Sequence, residues 1–239
     1  MRRPDGRNSD QLRPVTIERA FIRNSPGSVL YRAGATVVLV TAQLCETVPP
    51  FLEGKSLGWL TAEYAMLPGS TSTRHRRGTD GRGTEIQRLI GRSLRAVIDR
   101  QALGPATIHV DCDVLNADGG TRTAAITAAW VAVVDAVRHH RGDQSRAIIR
   151  DSVAAVSAGI AGGEPVLDLD YAEDSTAEVD INVVRLGRGG LVEVQGTGEA
   201  GTFSRGQLDA LLNLAEAGID RLTQLQRQSL DADWPWDSV

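Results

Sequence analysis

The spacing of apolar residues divides the chain into strand-like and helix-like segments. Short apolar runs bounded by glycine, proline or polar turns predict strands. They lie at residues 15–21, 29–32, 36–44, 108–114, 166–169, 179–184 and 191–195, with a further apolar segment at 59–66. A hairpin is expected at Ala33-Gly34-Ala35, between the second and third runs. Residues 152–160 fit either a strand or a short helix, and the pattern leaves both open.

Three other segments carry apolar residues at helical spacing. Residues 86–98 predict a helix that Thr84 caps and that ends before Gly104-Pro105. The alanine-rich residues 123–137 predict a second helix. The apolar spacing after Ser204 predicts a long amphipathic third helix, with Ser204 as its cap. Strands interleaved with helices predict a layered α+β or α/β fold. Because no linker is visible, we expect one domain over residues 1–228 and a loose C-terminal tail over 229–239.

Composition narrows the class of protein. Of 239 residues, 41% are hydrophobic and 23% are charged, which supports a sizeable core and argues against disorder. No apolar run approaches the length of a membrane span, and the first residues lack the apolar core of a secretory signal. Cys45 and Cys112 lie far apart inside apolar runs, which excludes a disulfide framework and predicts buried thiols in a cytoplasmic protein.

Charge is distributed unevenly between the two halves of the chain. The net charge is −4, yet residues 1–100 hold 16 basic and 9 acidic residues, whereas residues 101–239 hold 10 basic and 21 acidic residues. The densest basic stretch, 74–100, contains eight arginines and three acidic residues. Such asymmetry can mark one face for an anion and another for a metal ion. Arginine also binds phosphate with two parallel hydrogen bonds, which lysine does not.

The first candidate site combines a basic loop with the start of a helix. The basic loop, residues 69–83, contains no apolar residue, so it is expected to be exposed. Arg82 lies between two glycines, just before the predicted helix, where helix N–H groups favour an anion. Arg88 and Arg92 follow one turn apart on the polar side of that helix. The alternative is a flexible loop joined to a solvated helix face.

A second candidate lies between a strand and a helix. This glycine turn, residues 118–123, has the sequence DGGTRT. Consecutive glycines, the hydroxyl of Thr121 and the guanidinium of Arg122 suit a phosphate site made of backbone N–H groups, one hydroxyl and one guanidinium. The alternative is an ordinary turn in which Thr121 caps the helix.

A third candidate is an acidic cluster around residues 168–180. Asp174 lies in the predicted turn, and Asp180 points to the strand face opposite Val179 and Ile181. Two carboxylates brought together in this way can hold Mg²⁺, which keeps several waters for substrate phosphates. The alternative is a solvated acidic turn. Two phosphate sites and one metal site together are what phosphoryl transfer needs, since the protein then only positions and neutralises the reacting groups.

Several longer motifs resemble bacterial ribonuclease PH, in a group that also includes polynucleotide phosphorylase and the exosome ring subunits. The motifs follow in order at 5–7 (DGR), 12–14 (LRP), 58–68 (GWLTAEYAMLP), 85–92 (EIQRLIGR), 111–114 (DCDV), 117–123 (ADGGTRT), 173–175 (EDS), 178–180 (EVD) and 195–199 (QGTGE). The resemblance implies a ribosomal protein S5 domain 2-like fold with βαβα layers. It also implies a phosphorolytic 3′→5′ exoribonuclease that trims tRNA precursors and other RNAs and forms a homo-hexamer, a trimer of dimers.

The same resemblance assigns roles to individual residues. It implies that Arg82 and Gly120-Thr121-Arg122 bind the attacking inorganic phosphate and that Asp174 and Asp180 hold Mg²⁺, with Arg82 and both aspartates catalytic. The implied RNA-binding residues are Arg74, Arg76, Arg77, Arg88 and Arg92. Gly69 stands where many members carry an arginine, and the basic loop is shorter than usual. These departures motivate an alternative hypothesis, a non-catalytic RNA-binding ring subunit of an exosome-like assembly.

Overall fold

Nine strands and six α-helices follow one another in the part of the chain that the computed structural model describes, namely Arg3, residues 5–78 and residues 81–236. The strands are β1 (Val15–Arg19), β2 (Gly27–Ala33), β3 (Thr36–Cys45), β4 (Trp59–Met66), β5 (Thr107–Asn116), β6 (Val153–Ala161), β7 (Glu164–Leu167), β8 (Val179–Leu186) and β9 (Leu191–Gly198). The helices are α1 (Gly81–Arg95), α2 (Arg100–Leu103), α3 (Thr121–Arg141), α4 (Ser145–Ile148), α5 (Tyr171–Asp174) and α6 (Arg205–Leu230). Residues 152–160, which the pattern left open, form strand β6.

The strands form two sheets. The first has the order β1-β2-β3-β5-β4, in which only β4 and β5 run parallel, and the predicted hairpin joins β2 to β3. The chain passes from β4 to β5 through α1, which packs against β4. The second sheet is antiparallel, with the order β7-β6-β8-β9. The candidate residues are divided between the two sheets. Strands β4 and β5 of the first sheet lead into α1, which carries Arg82, and into α3, which begins within the glycine turn, whereas β8 of the second sheet carries Asp180.

Helix α3 lies between the two sheets. It packs against β2 and β3 on one side and against β6 on the other. The side chains of Val153, Ala155 and Val184 in the second sheet join the core around α3, whereas Ala154 and Val156 face α6. The order of layers is therefore sheet, helix, sheet, helix, which confirms the predicted α+β class with βαβα layers. No helix in the described ranges is long and apolar enough to cross a membrane.

The alanine content of α3 has a packing reason. A Cβ on Gly27 of β2 would lie 2.4 Å from the carbonyl oxygen of Ala132 and 2.8 Å from the Cβ of Ala136. Helix and strand backbones therefore approach more closely than larger side chains allow. Because α3 is covered on both sides, its residues from 123 to 134 are all buried, and it shows almost no amphipathic character.

The first predicted helix differs from the observed one at both ends. Helix α1 begins at Gly81, so the prediction of Thr84 as its cap is wrong. It ends at Arg95, and Asp99 caps the separate short helix α2 by accepting hydrogen bonds from the N–H groups of residues 101 and 102. Ile98, between the two helices, forms a β-bridge with Ile149. This bridge joins residues that are far apart in the sequence, so the local apolar spacing does not indicate it. The spacing therefore predicts one continuous helix where the structure has a break between α1 and α2.

The prediction of a loose tail is wrong for residues 229–236. Helix α6 continues to residue 230, and Trp234 and Trp236 pack against Trp130 of α3 with ring centroids 5.2 and 6.2 Å away. Asp233 accepts a hydrogen bond from Arg19 at 2.7 Å. The tail therefore covers the end of the main core, and residues 237–239 lie outside the described residues.

Candidate active site

Three distant stretches of the chain line one cavity of about 610 Å³. They are the end of β4 with the basic loop and the start of α1, the glycine turn with the first residues of α3, and α5 with the middle strands of the second sheet. The lining includes Arg76, Arg82, Gly119, Gly120, Thr121, Arg122, Tyr171, Asp174, Asp180 and Asn182. A volume of this size suits a small ligand. The residues assigned from the sequence to phosphate and to metal therefore face the same space.

Arg82 reaches the cavity from the first turn of α1. The sequence places it just before the helix and inside an exposed loop, whereas the helix already includes it. Two other residues of the basic loop also depart from the prediction, because Ser70 and Gly83 are buried. The helix buries Ile86 and Leu89 against β4 and leaves Arg82 exposed toward the cavity. Residues 79 and 80 lie outside the described residues.

The glycine turn holds a backbone conformation that requires glycine. Gly119 and Gly120 have φ values of +74° and +64°, in the left-handed region. A Cβ on Gly119 would lie 2.6 Å from the carbonyl oxygen of Leu169. Gly120 is the N-cap of α3, so the first N–H groups of that long helix meet the cavity edge without carbonyl partners from the helix itself. This arrangement favours an anion.

Side chains around the glycine turn hold Thr121 and Arg122 in place. The hydroxyl groups of Tyr64 and Thr121 lie 2.8 Å apart and share a hydrogen bond. Arg122 donates to Gln195 at 2.7 Å, and Gln195 in turn donates to Glu85 of α1 at 2.6 Å. Sequence reasoning gave no role to Tyr64 or Gln195. Both lie in the motifs at 58–68 and 195–199, and these motifs are the signal that could have indicated them.

The two carboxylates come from different elements. Asp174 is the last residue of α5, a short helix that Asp170 caps in a reciprocal capping box with Glu173. Asp180 lies on β8, opposite Gly159 of β6. Arg3 holds Glu173 through two buried hydrogen bonds of 2.7 and 2.6 Å, which fixes the short helix to the N-terminal segment.

Electrostatics link the carboxylates to the arginines. Burial, and then the charge of Asp174, raises the pKa of Asp180 to about 6. Burial also raises the pKa of Asp174, while the positive charges of Arg82 and Arg122 act in the opposite direction. Both guanidinium groups therefore act on the same carboxylate. The Asp180 Oδ2 atom accepts a hydrogen bond from Asn182 at 3.3 Å, but its Oδ1 atom is buried without a partner.

An orphaned buried carboxylate oxygen beside a second carboxylate fits a hard divalent cation such as Mg²⁺. The described residues contain no cluster of three or more histidine, cysteine, aspartate or glutamate side chains arranged to hold a metal ion. A metal at Asp174 and Asp180 would therefore have two protein carboxylates. This small number is compatible with Mg²⁺, which usually retains waters and also binds substrate phosphates.

A buried ion pair ties the glycine turn to the segment before α5. The Asp168 carboxylate accepts hydrogen bonds from the backbone N–H of Arg13 at 2.7 Å and from its side-chain Nη2 at 2.7 Å. The same guanidinium donates to the carbonyl oxygens of Asp118 and Gly119. Asp168 itself has a φ of +54°, which is uncommon outside glycine. Arg13 therefore links a strained residue of one segment to the backbone of the other.

The predicted RNA-binding arginines divide into two groups. Arg76 lines the cavity, and Arg74 and Arg77 are exposed in the same loop but do not line it. Arg88 and Arg92 lie on the exposed side of α1, outside the cavity lining, and Arg92 pairs with Glu193 of β9. The structure thus brings Arg76 to the phosphate and metal residues and leaves the other four on the surface.

Two family models match the chain. One is described as the 3′ exoribonuclease family, domain 1, and covers residues 11–139; the other is described as domain 2 of the same family and covers residues 151–218. The chain belongs to the 3′ exoribonuclease family. The two matched regions correspond to the first sheet with α1 and α3, and to the second sheet with part of α6. A single domain over 1–228 stays a prediction.

Solved structures show the same fold. Rrp46 from rice (Oryza sativa) has a TM-score of 0.80 and 21% identity, covering 96% of this chain and 100% of that chain. An Archaeoglobus fulgidus exosome with RNA bound to its active site gives a TM-score of 0.78 and 23% identity, covering 93% of this chain and 91% of that chain.

Proposed function

We propose that this member of the 3′ exoribonuclease family is a phosphate-dependent 3′→5′ exoribonuclease. An oxygen of inorganic phosphate forms a bond to the terminal phosphodiester phosphorus, and the bond to the 3′ oxygen of the preceding nucleotide breaks. A nucleoside diphosphate and an RNA shortened by one nucleotide leave. The observation that carries this proposal is the single cavity in which Arg82 and Arg122 face Asp174 and Asp180.

The arginines and the glycine turn answer an electrostatic problem. Phosphate and phosphodiester are both anions, and two unit charges 4 Å apart repel by about 4 kcal/mol at an effective dielectric of 20. Arg82, Arg122, the Thr121 hydroxyl and the start of α3 would bind the attacking phosphate and offset this repulsion. Catalysis here is positioning and charge neutralisation, with no covalent bond to the protein.

Asp174 and Asp180 are the residues that would hold Mg²⁺, because both line the cavity and Asp180 Oδ1 has no other partner. When bound, the ion would neutralise charge that develops on the phosphoryl oxygens. Asn182 donates a hydrogen bond to Oδ2 of Asp180, which leaves Oδ1 as the oxygen without a protein partner.

The substrate proposal rests on the resemblance to bacterial ribonuclease PH. We infer that the RNA is the 3′ end of tRNA precursors and that the active form is a homo-hexamer. Arg74, Arg76 and Arg77 would contact the RNA backbone near the cavity, and Arg88 and Arg92 would contact it along α1. Such contacts to phosphates give affinity that is independent of sequence and falls with salt.

The test is an assay with and without phosphate. A tRNA with extra 3′ nucleotides is incubated with the protein and Mg²⁺, and the products are separated. We expect shortening only when phosphate is present, with nucleoside diphosphates as the products. Release of nucleoside monophosphates regardless of phosphate would reject phosphorolysis in favour of hydrolysis.

A second candidate function is RNA binding without turnover, as a subunit of an exosome-like assembly. It is supported by the fold likeness to exosome proteins and by Gly69 in the basic loop. Against it, the cavity retains Arg82, Arg122, Asp174 and Asp180 together. Tight RNA binding with no product at any phosphate concentration would favour this candidate.

Replacing Arg82 by alanine should separate phosphate binding from RNA binding. We expect the KM for phosphate to rise by about tenfold to a hundredfold, because one charge-assisted contact to the anion is lost. The KM for RNA should change much less. Arg205→Ala is the matched control, since Arg205 lies on the distant helix α6, is 81% exposed and pairs with Asp209. An unchanged phosphate dependence in Arg82→Ala would remove Arg82 from the phosphate site.

A further inference from the structure

An exposed aromatic ring stands at the edge of the active-site cavity. Among the described residues, five large hydrophobic side chains are notably exposed: Phe21, Phe51, Tyr171, Leu191 and Val194. Of these, only Tyr171 lines the cavity, and it is also the most exposed, at 62%. Tyr64, the other tyrosine of the lining, is 4% exposed and bonds to Thr121. The ring of Tyr171 is thus the tyrosine surface that a ligand in the cavity can reach.

The backbone that carries this ring is fixed to the site. The N–H of Tyr171 donates to Oδ1 of Asp118 in the glycine turn at 3.3 Å. The carbonyl of Asp118 accepts a hydrogen bond from the buried Arg13. At the other end of the short helix, Arg3 holds Glu173. Because the backbone of Tyr171 is already held, stacking of a ligand would need to order only the side chain of this residue.

The ring lies close both to the proposed metal-binding carboxylates and to the proposed phosphate site. Tyr171 and Asp174 are three residues apart on α5, so their side chains lie on neighbouring parts of the same helix surface. The glycine turn contacts the start of this segment at Gly119. The ring therefore stands beside both the glycine turn and the carboxylate of Asp174, with most of its surface exposed.

We propose that Tyr171 is the platform on which the base of the 3′-terminal nucleotide of the RNA stacks. This inference rests on the proposed function. Stacking accepts every base, because each has a π-face, whereas hydrogen bonds to base edges would select one. An enzyme that removes successive nucleotides needs this tolerance.

The test measures binding without turnover. An oligoribonucleotide with 2-aminopurine at its 3′ end is added to the full chain with Mg²⁺ and without phosphate, and fluorescence quenching reports stacking. We expect quenching with the unsubstituted chain and with Tyr171→Phe, and its loss with Tyr171→Ala. The affinity of Tyr171→Ala should fall between about fivefold and about a hundredfold, the range for losing one stacked base. Phe51→Ala, which removes a ring 56% exposed and outside the cavity, should bind like the unsubstituted chain.

A second RNA makes the assignment specific to the terminal nucleotide. Removing the base of that nucleotide should weaken binding to the unsubstituted chain but cause no further loss in Tyr171→Ala. Unchanged quenching in Tyr171→Ala would overturn the proposal. So would the finding that Tyr171→Ala cancels the effect of removing the preceding base rather than the terminal one. Because these measurements need no product, stacking that persists in a chain without phosphorolysis would reject the proposed function and leave the platform standing.

Discussion

Asp180→Asn should abolish turnover while the affinity for RNA stays nearly unchanged. Asparagine keeps the size of the side chain and removes the charge that a divalent cation requires. We expect the rate of phosphorolysis to fall by about three orders of magnitude, because several kcal/mol of charge stabilisation are lost from the transition state. RNA affinity should persist, since the basic loop and α1 supply the contacts to the RNA backbone in this proposal.

Single-turnover rates at saturating RNA and phosphate measure the first quantity, and binding of labelled RNA without phosphate measures the second. Asp220→Asn is a suitable control, because Asp220 is an exposed carboxylate of α6 that pairs with Arg185. Equal losses of turnover and of RNA affinity in Asp180→Asn would count against a metal-binding role. Turnover close to that of the control would exclude Asp180 from the chemistry.

The sequence predicts the elements better where one face is solvated than where both are covered. Strand β5 alternates buried and more exposed positions, and this alternation predicts it directly. Strand β6 is buried at all nine positions, because α3 covers one face and α6 the other. A strand covered on both faces loses its period of two, which explains why the pattern left residues 152–160 open.

The site divides in a similar way. Arg82, the glycine turn and the two aspartates each belong to a short sequence motif, and each motif by itself predicts a candidate phosphate or metal site. Their meeting in one cavity follows from the fold, because α1, α3 and β8 are far apart along the chain. Long-range partners such as Arg13 with Asp168 carry no local signal, since hydrogen bonds across 155 residues follow from tertiary structure alone.

The ion pair of Arg13 and Asp168 gives the prediction with the second largest effect. Asp168→Asn should lower the free energy of unfolding by about 3 kcal/mol, because it leaves the buried guanidinium of Arg13 without its counter-charge. Asparagine tolerates the positive φ of this residue, so the substitution changes the charge without forcing a new backbone conformation. Urea unfolding at constant pH measures the change, and an unchanged midpoint would contradict it.

The double variant Arg13→Met with Asp168→Asn separates stability from positioning. Removing both charges should restore part of the lost stability, because methionine leaves no unpaired charge at the buried position. It should also weaken phosphate binding, since the variant lacks the guanidinium of Arg13 that holds the carbonyl oxygens of Asp118 and Gly119 in the glycine turn. We therefore expect a double variant that unfolds at a higher urea concentration than Asp168→Asn yet has a higher KM for phosphate. Partly restored stability together with a KM for phosphate equal to that of the unsubstituted chain would mean that the pair serves stability alone, and that the glycine turn keeps its conformation without Arg13.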